Sequence, residues 1–484
     1  MSSRRSALTF TLSFALGCSG VETEPLPPTG QVLLYVDTDA PVPLGPDEAL
    51  GDTNPPALFD RLRIDLFAPG AREPCGGCSR DFELEARTLR ERKASFGITP
   101  PPGGEGYVAR ARLFRSAALE GGEPPVSSTV EAYVELPAVG REGVLEVTAL
   151  LLVDDVGVPQ GSLRSPIAPK PGKPEASLVG SWPGARRIPC QGEPRDDEAC
   201  VPGGAFWMGS PLLPPGDDGS ITNQMRLVIL SPFFMRLHET TVAEMRAAGV
   251  AVLAEDGSSL DPLEGVRSNP MLIEQGEAPY TIDDAFYYCN YLGADSGDAA
   301  LDEVALNCVT WFGARAFCEA RGGDLPTEAQ YEYVAGALES KTYVWGNDAA
   351  GLSCDDAVWN RAGVGYFYDG ISGACRRDGD PGGPVKPGTG KLDRLKLGER
   401  EVTDLAGNVA EWVADDWNGP SEPCWQDRPL LRNPLCFGQS RDGELRTMKG
   451  GTCFGTVLPA ANRLPAIPDG VAPWIGFRCA RPAD

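Results

Sequence analysis

The chain has 484 residues, 42% of them hydrophobic, with 9 Trp, 58 Gly and 45 Pro. That length and composition suit two folded domains with many turns and long loops, and exclude a low-complexity chain. A formal charge of −25 argues against nucleic-acid binding, which needs clustered Lys and Arg against phosphate; an acidic surface instead favours solubility and can hold divalent cations.

Residues 1–17 have a basic start at Arg4 and Arg5, an apolar run from Ala7 to Leu16 and a small Gly17, the pattern of an export signal. The run is too short to cross a bilayer as a mature helix. Ala15-Leu16-Gly17-Cys18 resembles the bacterial lipobox, which implies a diacylated Cys18 and a protein held in the cell envelope, on the periplasmic or cell-surface face of a bacterial membrane. Residues 18–30 are polar and Pro-rich and read as the tether. Thirteen cysteines remain after Cys18, and in an oxidising compartment they form disulfides with one thiol left over. Short spacings suggest Cys75 with Cys78, Cys190 with Cys200, Cys289 with Cys308, Cys354 with Cys375 and Cys424 with Cys436, although spacing alone does not fix connectivity.

Residues 31–156 form the first domain. Val32–Val36, Leu62–Leu66, Val108–Phe114, Val130–Leu136 and Val144–Leu150 read as strands, several alternating apolar with polar side chains. With Gly/Pro turns between them and no helical rhythm, they predict an antiparallel, immunoglobulin-like β-sandwich. Cys75-Gly76-Gly77-Cys78 has the spacing of a redox or metal motif, but Pro74 and the glycines indicate a turn and no second ligand pair follows, so the pair is assigned to structure. Residues 157–189 hold Pro159, Pro166, Pro169, Pro171, Pro174 and Pro183, and read as a semi-extended linker.

From residue 190 to residue 484 helix signals appear between short strands. Thr241 and Glu244 fit a capping box opening a helix over 241–248. A second helix is predicted over 313–320, and Thr327 with Gln330 caps a third.

Taken in order, Val201-Pro202-Gly203-Gly204-Ala205-Phe206-Trp207-Met208-Gly209, His238-Glu239-Thr240-Thr241-Val242, Leu325-Pro326-Thr327-Glu328, Asp404-Leu405-Ala406-Gly407-Asn408-Val409-Ala410-Glu411-Trp412, Lys449-Gly450-Gly451-Thr452 and Gly476-Phe477-Arg478-Cys479 resemble the sulfatase-modifying-factor family, whose founding members are the formylglycine-generating enzymes. The resemblance spans about 200–481. It implies an α+β, C-type-lectin-like fold behind the β-sandwich, a bridge between Cys318 and Cys479, and a copper(I)-dependent oxidase that converts a sulfatase cysteine to formylglycine.

The chain departs from that pattern where the chemistry sits. Two thiolates hold the family's copper, as a soft ion requires. The first copper position here is Gly455, the second falls in a loop shortened before Arg463, and Cys453 lies two places early. Ala410 replaces a groove tryptophan, and the second family bridge maps to Ala335 and Ala460. One family calcium site maps to the side chains of Asp404 and Glu411 with the carbonyls of Gly407 and Val409, and a second lies near Asn360. His238 is the single histidine, which sets aside the related sulfoxide synthases, whose iron needs several.

Two functions stand at this point. One is a non-catalytic binding or structural module with calcium, a membrane anchor and a protein or peptide ligand. The other is an altered formylglycine-generating oxidase using copper, Cys453 and a further thiol such as Cys424 or Cys436.

Overall fold

The computed structural model describes residues 30–44, 58–101, 103–174, 187–210, 225–248, 252–253, 259–260, 290–291, 299–361, 375, 382–418, 424–425, 430–438, 445–470 and 472–483. The signal, Cys18 and Cys289 lie outside them.

Alternating side chains build the first domain. Strands β1 (Gln31–Thr38), β2 (Arg61–Phe67), β3 (Ser79–Glu83), β4 (Ser95–Ile98), β5 (Val108–Phe114), β6 (Val130–Glu135), β7 (Val144–Leu151) and β8 (Lys170–Pro171) form two four-stranded sheets, ordered β4-β1-β7-β8 and β3-β2-β5-β6. Val32, Leu34 and Val36 of one sheet and Leu62, Ile64, Ala111 and Leu113 of the other meet in one core. Each fully buried aliphatic side chain contributes roughly 1.5–3 kcal/mol.

Two features correct the antiparallel, helix-free expectation, and a third corrects the expected linker. β1 and β7 pair in parallel, from Gln31 opposite Val144 to Thr38 opposite Leu151. A five-residue helix, α1 (Ala86–Arg90), buries Ala86 and Leu89. The Pro-rich stretch is not free along its first part: Gln160 bridges to Ala132, Ile167 bridges to Val134, and β8 pairs with β7. Proline at a sheet edge loses no ladder bond that the sheet needs, so these prolines border the sandwich.

The second domain uses shorter pieces: β9 (Glu198–Val201), β10 (Gly204–Met208), β11 (Arg226–Leu230), β12 (Phe233–Arg236), α2 (Val242–Ala248), β13 (Val252–Leu253), β14 (Ser259–Leu260), α3 (Ala299–Asp302), α4 (Trp311–Ala320), α5 (Glu328–Ala335), β15 (Arg394–Leu397), β16 (Arg400–Thr403), β17 (Ala410–Asp416), β18 (Leu430–Arg432), β19 (Arg446–Lys449), β20 (Leu464–Ala466), β21 (Ile475–Gly476) and β22 (Ala480–Pro482). The predicted caps hold. Glu244 Oε2 accepts from Thr241 N at 2.8 Å, and Thr327 and Gln330 close a reciprocal capping box on α5; α4 starts two residues earlier than expected, with Thr310 as a cap the sequence reading did not name. Cys318 of α4 is bonded to Cys479, beside β22.

The strand pair β10–β11 faces two ways. Phe206, Met208, Val228 and Leu230 pack into the second domain's core. Their alternate neighbours Ala205, Trp207, Leu227 and Ile229 pack into the sandwich core. Arg432 Nη2 reaches the carbonyl of Val156 at 3.4 Å across the same boundary. The two domains therefore share an apolar wall. No helix among the described residues is long and apolar enough to cross a membrane.

Candidate functional site

Three loops interlock where β17 and β19 leave the core. Glycine lets them approach: a Cβ on Gly451 would lie 2.3 Å from the carbonyl oxygen of Ala406, and one on Gly407 would lie 2.4 Å from that of Val358. The loops then exchange backbone hydrogen bonds. Gly451 N donates to Ala406 O at 3.1 Å, Cys453 N to Asn408 O at 2.7 Å, Asn408 N to Val358 O at 2.8 Å, Asn360 N to Gly455 O at 2.6 Å and Arg361 N to Cys453 O at 2.6 Å. Asn360, Asp404 and Asn408 take positive φ of 41°, 56° and 65°, a conformation Asn and Asp adopt most readily among non-glycine residues.

Cys453 is fully buried in this junction beside Val358 and Phe454, with Trp474 and Val385 packed against them. It is the cysteine outside the disulfides among the described residues. Cys75–Cys78, Cys190–Cys200, Cys354–Cys375 and Cys424–Cys436 are bonded as their spacings suggested, and Cys308 is also disulfide-bonded. This corrects the expectation that Cys424 or Cys436 could supply a second thiol to Cys453. Gly455, which the family resemblance aligns with the first copper position, presents no side chain, and its N–H is turned onto Thr452 Oγ1 at 2.9 Å. Ala335 and Ala460 are both buried in the same apolar cluster, and Ala410 packs beside Trp412.

Behind the loops lies a fully buried carboxylate group: Glu239, Asp393, Asp404 and Glu411. Arg478 neutralises one of them, donating to Glu411 from Nε and Nη2 at 2.6 Å each and to the carbonyl of Asp404 at 3.0 Å. Tyr331 OH adds a bond to Glu411 at 3.0 Å. Burial favours the neutral form of an acid. Desolvation, with Asp404 and Glu411 nearby, pushes Glu239 well above its ordinary value; burial and Asp404 bring Asp393 up to about 7, against two backbone N–H groups that lower it. Burial pulls Arg478 down, but Glu411 overrides it and holds the guanidinium protonated.

The calcium set divides on this geometry. Asp404 Oδ1 is buried without a hydrogen bond, as a cation ligand would be, and desolvation raises the Asp404 carboxyl. Glu411 does not fit, because both its oxygens are on Arg478 and Tyr331. Gly407 and Val409 flank Asn408, whose amide Nδ2 donates to Glu239 at 3.1 Å, and Asn360 lies on the facing loop. Among the described residues, no group of three or more His, Cys, Asp or Glu is arranged to hold a metal. His238 is half-buried with Nδ1 2.7 Å from the carbonyl of Glu239, a local contact.

Next to Asn360 a cavity of about 260 Å³ opens between Trp359, Arg361, Lys391 and the Cys354–Cys375 bridge. Sequence reasoning missed this cavity, and also a second buried charge network. In that network Arg463 Nη2 donates to Glu328 at 2.8 Å, Lys449 to Glu332 at 2.9 Å, and Asp415 accepts from the N–H groups of Glu328 at 2.6 Å and Cys436 at 2.9 Å. The available signal was ionisable residues inside otherwise apolar motif blocks.

Residues 186–483 match the sulfatase-modifying factor enzyme 1-like domain, so the chain belongs to the formylglycine-generating-enzyme family. Relatives include the inactive C-alpha-formylglycine-generating enzyme 2 of Bos taurus, 28% identical over 58% of this chain and 86% of that protein. The formylglycine-generating enzyme of Thermomonospora curvata is 27% identical over 58% of this chain and 91% of its own. Among solved structures, PvdO from Pseudomonas aeruginosa is similar at 19% identity and a TM-score of 0.39, covering 61% of this chain and 100% of its own.

Proposed function

We propose that this chain is a catalytically degenerate member of its family, acting as a lipid-anchored binding or structural module of the cell envelope. One observation carries the reading: the junction that should hold copper has Gly455 at one position and the buried Cys453 as its thiol, with Cys424 and Cys436 bonded to each other. Copper(I) in a thiolate site needs two sulfurs placed together. The disulfides suit an exported protein, and the lipobox at Cys18 supplies the anchor. The cavity between Arg361 and Lys391 is the seat assigned to a peptide or protein ligand.

The test is incubation with copper(I), oxygen and a Cys-X-Pro-X-Arg peptide, followed by mass spectrometry. No conversion to formylglycine is expected. Turnover that disappears in Cys453→Ala would establish the oxidase instead.

Calcium belongs to the same proposal in reduced form. Asp404 Oδ1 and neighbouring carbonyls are its donors, and Glu411 stays with Arg478. A rise in unfolding temperature on adding calcium, lost in Asp404→Asn, is expected; identical melting with calcium and with chelator would remove the ion from the reading.

A further inference from the structure

Among the described disulfides Cys75–Cys78 has the smallest sequence separation, 3, against 10 for Cys190–Cys200, 12 for Cys424–Cys436, 21 for Cys354–Cys375 and 161 for Cys318–Cys479. A disulfide stabilises a fold mainly by restricting the unfolded chain, and the effect grows with the loop it closes. The linkage is reciprocal: a fold protects a bond from reduction only as far as the bond stabilises the fold. Opening Cys75–Cys78 therefore costs the fold the least of the set.

The hairpin does not depend on it. Cys75 N donates to Leu66 O at 2.9 Å, Leu66 N to Cys78 O at 3.2 Å and Cys78 N to Cys75 O at 2.9 Å, so the β2–β3 turn stays closed when the sulfurs part. Cys75 and Cys78 are half-buried, and the two residues between them, Gly76 and Gly77, are open to solvent; a Cβ built on either would meet nothing within 4 Å. The opposite case is Cys318–Cys479, whose residues are both buried.

We infer that Cys75–Cys78, which its turn alone assigned to structure, is a thiol–disulfide exchange site, reduced by a dithiol donor while the rest of the molecule stays oxidised and folded. A donor thiolate attacks one sulfur of the bridge, the S–S bond breaks, and the other cysteine leaves as a thiolate that takes up a proton. The donor's second thiolate then attacks its own sulfur in the mixed disulfide and releases the remaining cysteine. Two electrons and two protons pass to the pair, and the donor ends as a disulfide. Separately from any ligand of the second domain, this gives the sandwich a covalent means of engaging thiol oxidoreductases.

Glutathione is the probe. The folded chain is equilibrated in buffers of increasing reduced-to-oxidised glutathione, quenched in acid, alkylated and mapped by mass spectrometry. Alkylation of Cys75 and Cys78 is expected at a reduced-glutathione level roughly tenfold below that opening Cys190–Cys200, Cys354–Cys375 or Cys318–Cys479, with Cys453 unlabelled and circular dichroism unchanged. In Cys78→Ser, the remaining Cys75 should form a mixed disulfide with glutathione. The inference is overturned if Cys75–Cys78 opens only together with the other bridges or with loss of structure, or if Cys78→Ser captures no glutathione.

Discussion

The wall between the two domains and the wall behind the candidate site are both made of fully buried strands, yet opposite means hold them. Apart from Arg226, which opens β11 and donates to the carbonyl of Trp425, β10 and β11 are apolar on both faces, each face feeding a different core. β17 carries Glu411, Asp415 and Asp416 into the interior, each answered by a named partner: Arg478, the backbone of Glu328 and Cys436, and Arg446. Apolar burial is non-directional and tolerates repacking that conserves volume. Buried charge is directional, and losing one partner leaves the other uncompensated. The comparison teaches that equal burial does not mean equal tolerance of substitution.

The largest expected effect falls on the charged wall. Arg478→Met removes the guanidinium bonded to Glu411 beside Glu239, Asp393 and Asp404, and should cost about 3–5 kcal/mol in urea unfolding. A loss below about 1 kcal/mol would mean that this wall tolerates substitution as the apolar one does.

Trp207→Ala tests the apolar wall. Truncating a buried tryptophan costs about 3–5 kcal/mol, here at the lower end because two domains can close on the cavity. Both domains should lose stability in one transition; separate transitions, with only one displaced, would show that the wall is not shared.

A smaller effect concerns Asp415. Burial, then the neighbouring Glu328, pushes its carboxyl from 3.8 to about 7. The folded chain therefore keeps a proton that the unfolded chain has already lost, and stability falls as pH rises from about 4 to 7. At about 1.4 kcal/mol per pKa unit the share of Asp415 is on the order of 2–4 kcal/mol, beside that of Asp393, and Asp415→Asn should make that part of the profile shallower. An unchanged profile would remove Asp415 from its sources.

Smallest of all, Thr327→Ala should cost about 1 kcal/mol by deleting the α5 cap. A value near zero would show that α5 is positioned by its buried Tyr331, Tyr333 and Glu332 alone.

The same contrast explains what was legible in the sequence. Val32–Val36, Leu62–Leu66 and Val108–Phe114 announced themselves because alternation is local, and the caps of α2 and α5 because three-residue spacing is local. The parallel pairing of β1 with β7 was hidden: alternation reports which face is buried, not the direction of the neighbour. Trp207 and Ile229 read as ordinary strand residues, since nothing local tells a strand buried on both faces which core each face serves. At the site, the motif blocks brought Asp404, Glu411 and Cys453 into view. The capture of Glu411 by Arg478 was not legible, because 67 residues separate them and either could have served another partner.

The two-faced strand pair also bears on what happens when the backbone is cut. A protease that nicked the chain between Pro174 and Arg187 would sever the peptide link between the domains and leave Trp207, Leu227 and Ile229 still seated against the sandwich. The halves should then co-purify as a nicked pair. A fragment beginning at residue 186, made alone, would present that face to water and self-associate. For this molecule the boundary of the family match is a boundary in the alignment and not in the folded body.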